Sequence, residues 1–179
     1  MDFLFVGNRL SLDFLNTRPV IDGAPVELLP DDAALKKWLH ATGVPATPVA
    51  LEPLLEFRED WRTAVLGVEA GKPASTAFLA RLNALLRDRP GIDEVVRAGG
   101  SLARERRYPD AFGAIAADAA DLLTAVDPNR IRKCDNCVLH FLDTSKKGTR
   151  RWCSMRLCGN RLKVAAYTSR QKNARKVTA

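Results

Sequence analysis

Histidine is nearly missing from this 179-residue chain, with His40 and His140 the only two. A hydrolytic metal centre gathers imidazoles and carboxylates around an ion that keeps a position open for water, and this sequence has little to build one from. Residues 1–126 also lack a phosphate-cradling glycine-rich loop, a serine-elbow motif and a His–carboxylate constellation, so no enzyme is expected. Long apolar runs are absent, and none approaches the ~20 residues that span a bilayer, so no membrane association is expected. The opening MDFLFVGNRLSLDF has no basic leader and no small-residue cleavage site, which points to the cytoplasm, where thiols stay reduced. Acid is scarce in the last fifty residues: Asp135 and Asp143 stand against 14 Lys and Arg. Residues 1–129 reverse the balance, with 14 basic and 19 acidic residues. A basic tail on an acidic body points to a polyanionic partner.

Cysteine is present four times, and all four lie in one stretch, CDNCVLHFLDTSKKGTRRWCSMRLCGNR. Cys134 and Cys137 are separated by two residues; fifteen residues follow, then Cys153 and Cys158 with four between. Two close thiol pairs across a loop of that size form the pattern of a four-thiolate zinc site. Buried cysteines without a ligand would be scattered, and disulfides need an oxidising compartment. Four sulfurs would close the coordination shell, so one structural Zn2+ is expected rather than a catalytic one.

In chain order, Gly7-Asn8 is a turn signal. The run Leu10, Leu12, Phe14 suits either a half-buried strand or a short helix capped by Ser11. Asp13, Asn16 and Thr17 form a polar cluster that reads as turn and cap contacts, with a ligand site as the alternative. Pro30-Asp31-Asp32 opens a helix bearing Leu35, Trp38 and Leu39, which Gly43 stops. Thr47-Pro48 should begin a second, with Leu51, Leu54, Leu55, Arg58, Trp61, Val65 and Val68 at helical spacing and Gly71 as its stop. A third is expected over 74–87 and a fourth over 109–126. Between them Val95-Val96, Gly99-Gly100 and Leu102 predict a short hairpin, with Arg104, Arg106 and Tyr108 alternating on its second arm.

The charge reversal places a boundary at Pro128-Asn129, too short a joint for the parts to swing freely. The expected fold is α+β: a mainly helical domain over 1–128 with a short hairpin, then a treble-clef-like zinc module over 129–179. In the module, residues 130–133 should lead into the knuckle and 138–142 return from it. Ser145–Gly148 is expected as a mobile basic loop, and a helix should run from Met155 to about Arg170. Metal should supply much of the folding energy of so small a unit.

Cys158-Gly159-Asn160-Arg161, with the cysteine spacing and LDTSKKGTRRWC, resembles the CGNR zinc finger family. GNRLSLDFLNTR resembles the opening of the ABATE domain that accompanies this finger in bacterial proteins, with Gly7-Asn8 where paired glycines are expected. The resemblance implies a stress-induced transcription regulator for which DNA binding has been proposed, its N-terminal domain sensing an effector or forming a homodimer. The expected nucleic-acid contacts are Lys146, Lys147, Arg150, Arg151, Arg156, Arg161, Lys163 and Arg170. Arg156, Lys163 and Arg170 recur every seven residues and should share a helix face. Arg161 could equally steady the thiolates. RNA remains an alternative partner, with Trp152 and Tyr167 as stacking groups, and so does an acidic protein.

Overall fold

The computed structural model describes residues 3–21, 23–44 and 47–159. The chain opens on an extended segment and a short helix, α1 (Leu10–Leu15). This resolves the ambiguity over residues 10–15 in favour of helix. Ser11 is not its cap: it lies inside the helix and donates from Oγ to Asp118 Oδ2 at 2.6 Å. A small hairpin, β1 (Val20–Ile21) with β2 (Ala24–Pro25), leads to α2 (Asp32–Thr42). Asp31 caps α2 by accepting from Ala34 N, and Gly43 ends it at φ 72°. That is the left-handed region, where a Cβ is costly.

The next helix, α3 (Leu51–Glu69), starts later than Thr47-Pro48 suggests. Pro53 explains this. In a helix begun at residue 48, Pro53 would be interior, lacking an N–H and clashing with the preceding turn; begun at Leu51, it falls in the first turn, where no N–H is needed. α4 (Thr76–Asp88) is capped by Ser75 Oγ, and α5 (Ala111–Ala125) by Asp110. Between them β3 (Ile92–Ala98) and β4 (Ser101–Arg107) form the expected antiparallel hairpin, turning on Gly99 and Gly100 at φ 55° and 87°.

One core holds Leu12, Phe14, Trp38, Phe57, Trp61, Phe78, Ile115 and Leu122, all buried. Phe57 stacks on Phe78 and meets Phe112 edge-on. Arg58, on the apolar stripe of α3, is buried as well. Its guanidinium donates to Thr17 Oγ1 and Glu27 Oε1, each at 2.8 Å, and also pairs with Glu27 Oε2. Burial alone would raise the Glu27 carboxyl, but these bonds outweigh it and hold it below the usual range.

Beyond a single 3-10 turn (Pro128–Arg130), β5 (Ile131–Lys133) pairs antiparallel with β6 (His140–Leu142). Packing crosses position 128 in both directions. Ile131 of β5 joins the helical core, while Val6 of the opening segment packs with Cys134, Leu139, Phe141, Cys153 and Cys158. No described helix is long and apolar enough to cross a membrane.

Candidate metal centre and basic surface

The first two cysteines flank a tight knuckle at the ends of β5 and β6. Cys134 N donates to Leu139 O at 2.8 Å, and Val138 N to Cys134 O at 3.1 Å. Val138 closes the knuckle at φ 54°, a left-handed conformation that a β-branched residue rarely adopts. Cys153 arrives on the segment after Arg150, and Cys158 sits in a π-type turn (Met155–Gly159) where its N–H reaches Ser154 O. This turn is the described beginning of the expected helix; the rest, with Asn160, Arg161, Lys163, Tyr167 and Arg170, lies outside the described residues.

The four sulfurs lie within 4.8 Å of one another. Cys137 Sγ is 3.5 Å from Cys153 Sγ, which is 3.7 Å from Cys158 Sγ. Zn–S bonds of about 2.3 Å in a tetrahedron give sulfur–sulfur edges of about 3.8 Å, so the donor set fits one zinc ion. The Cys153 thiol hydrogen-bonds to the Cys137 sulfur and, against the cost of burial, draws its pKa down to about 5. Cys153 itself is pushed up, first by that same bond and then by burial; burial likewise raises Cys158. A dication at the centre of the cluster would favour the thiolate form of all four. These four cysteines therefore form the site of one structural zinc ion.

His140 is not among the ligands. It is buried, with its Nε2 3.4 Å from Glu69 Oε2 at the end of α3. Its backbone is held on both sides by Asn16, whose Nδ2 donates to His140 O at 2.8 Å and whose Oδ1 accepts from His140 N at 2.9 Å. Leu142 N donates to Gly7 O, and Asn8 Nδ2 to Leu142 O. The opening segment and α1 thus form the floor under β6. Sequence reasoning assigned Asn16 to local turn contacts; Thr17 does make one, to Phe14 O. Nothing short of the tertiary fold connects Asn16 with a residue 124 positions away.

The basic residues divide by what they touch. The Ser145–Gly148 loop, expected to be mobile, is a tied turn. Asp143 accepts from Ser145 N and Arg150 N, Gly148 N donates to Ser145 O, and Arg130 donates to Asp143 O and Ser145 O. Lys146 and Lys147 project from it, exposed. Arg150 lies with its guanidinium 5.1 Å from the centroid of the Phe141 ring and donates to Cys153 O at 2.6 Å, bracing the second cysteine arm. Arg151 is exposed, pairs with Asp135 at 2.7 Å and covers Trp152, which itself packs on the cysteine cluster. Arg156 is exposed and makes no ion pair among the described residues.

Arg132 and Lys133, which sequence reasoning used only as a lead-in strand, line a cleft of about 610 Å³ with Arg150, Arg151, Asn129 and Glu69. Their signal was local: two cations immediately before the knuckle, on a strand whose apolar Ile131 faces the core.

Fold and site together define a helical body carrying a four-cysteine zinc module on its N-terminal segment and first helix. Residues 8–126 match the ABATE family, described as "Putative stress-induced transcription regulator", and the chain belongs to that family. Residues 130–171 match the CGNR zinc finger. No curated protein matches the chain.

Proposed function

We propose that this protein is a non-enzymatic transcription regulator that binds duplex DNA through the basic surface of its zinc module. The observation that carries the reading is the exposed set Lys146, Lys147, Arg151 and Arg156, mounted on backbone that the metal site and Asp143 hold in place. Rigid presentation lowers the ordering cost of each phosphate contact. Arg132 and Lys133 extend the same positive surface toward the helical domain. The four-thiolate shell leaves the ion no open position, which supports a scaffold rather than a catalyst.

Affinity for a duplex should fall steeply with salt, since each neutralised phosphate releases counterion. Changing Lys146, Lys147, Arg151 and Arg156 together to glutamine should weaken binding at least tenfold and flatten the salt dependence by up to about four contacts' worth. Fluorescence anisotropy on a random-sequence duplex measures both. Unchanged affinity would end this reading, and tighter binding to structured RNA at equal salt would redirect it.

A further inference from the structure

The β3–β4 ribbon has no cover among the described residues. It forms a two-stranded sheet whose contacts are overwhelmingly internal. Ile92, Val95 and Leu102 remain 66%, 73% and 71% exposed. A lone two-stranded ribbon is marginal in water, and a third strand is the usual remedy.

The turn fixes which edge is available. A two-residue loop makes Ala98 and Ser101 a hydrogen-bonded pair, so residues 92, 94, 96 and 98 spend their N–H and C=O on β4. Those of Asp93, Val95 and Arg97 point outward from β3. An unpaired edge of this kind is a template for another strand.

We infer that β3 pairs antiparallel with β3 of a second copy of this chain, about a two-fold axis at Val95. Backbone parity limits the pairings to those placing residues 93, 95 and 97 opposite one another or opposite other odd-numbered positions. Centring on Asp93 would oppose Asp93 to itself, and centring on Glu94 would oppose Glu94 to itself, both like-charge contacts. Centring on Val96 leaves Arg97 facing Val95. Centring on Val95 sets Asp93 against Arg97 twice, once on each side of the axis, with Val95 on Val95 between them and Ile92 beside Ala98 on the opposite face. Arg97 makes no ion pair among the described residues, whereas Arg104, Arg106 and Arg107 are already engaged by Asp93 and Glu94. Arg97 therefore sits where the symmetric partner brings Asp93, whose carboxylate Arg104 and Arg106 already approach from its own ribbon. The product is a four-stranded sheet, β4-β3-β3-β4, with isologous symmetry. The pairing is independent of the nucleic-acid reading.

Sedimentation equilibrium of the zinc-loaded full chain over the micromolar range tests the pairing. The wild type should approach twice the 19.7 kDa chain mass. Val95→Pro deletes an outward N–H that β4 does not use, and Arg97→Glu places acid against Asp93; each should hold the mass at one chain with zinc content and circular dichroism unchanged. Val95→Cys, mildly oxidised with zinc in place, should give a disulfide-linked dimer. A wild type that stays at one chain mass, or a dimer that survives both substitutions, overturns the pairing. So does an Arg97→Glu chain whose mass is unaltered while its duplex affinity falls, which would assign the ribbon to nucleic acid.

Discussion

Asp13 carries an unfavourable charge at neutral pH. Burial lifts its carboxyl to about 6 against the partial relief of backbone N–H groups at Gly7 and Val6, and the Asp118 charge adds to the rise. Because the folded value lies above the ordinary 3.8, the native state keeps a proton through the window from about pH 4 to 6 that the unfolded chain releases. This contribution to stability therefore falls as pH rises across that window. Asp13→Asn retains an oxygen to accept from Gly7 N and should raise stability at pH 7 by up to about 2–3 kcal/mol, with no gain below pH 4. Urea unfolding of variant and wild type in parallel at pH 4, 5 and 7 gives the difference. Val138 carries a second local cost, a β-branched side chain at φ 54°. Val138→Gly should relieve about 1 kcal/mol of backbone strain and slow zinc loss to a chelator, read by a colorimetric zinc indicator. Gly7 is constrained the other way, since a Cβ there would come within 2.8 Å of Asp13 N and Leu12 Cβ.

At the scale of elements, the joint between α1 and β6 rests on one amide. Asn16→Ala would leave the buried N–H and C=O of His140 unpaired, at a cost of about 2–3 kcal/mol. Differential scanning calorimetry should show the loss, with earlier zinc release under chelator. That joint also shows where the sequence could be read and where it could not. Asp31, Gly43, Gly71, Gly99 and Gly100 announce their elements through local chemistry, and the structure uses each accordingly. The four cysteines were legible for the same reason, because ligand spacing is local within each pair. The start of α3 departs from its local signal because Pro53 vetoes the Thr47-Pro48 start five residues later. The β1–β2 hairpin is hard to read in the sequence although Asp22-Gly23 is a strong turn signal, since two-residue strands leave almost no alternation. Arg150 looks like an outward cation in a basic run, yet its reach to Cys153 O depends on the loop closing around Asp143. Such partners are set by the fold, and no window of sequence contains them.

At the scale of the molecule, each of two cores draws a residue from the other side of position 128. Ile131, on the strand entering the knuckle, fills the helical core, and Val6, at the far end of the sequence, covers the cysteines. Stripping the metal should therefore affect more than the last fifty residues. A strong chelator should lower the unfolding temperature of the entire chain by several degrees, and amide exchange should accelerate in α1 as well as around the cysteines. Exchange confined to the cysteine segment would show that the two cores melt separately. The same sharing bears on how such a chain can be cut and recombined. A fragment beginning at Arg130 would leave behind the valine lid, the Gly7 carbonyl that receives Leu142, and the Asn16 amide that frames His140. Unlike a bead on a string, this finger cannot be transplanted by itself: a working graft would have to bring the first seventeen residues along with it.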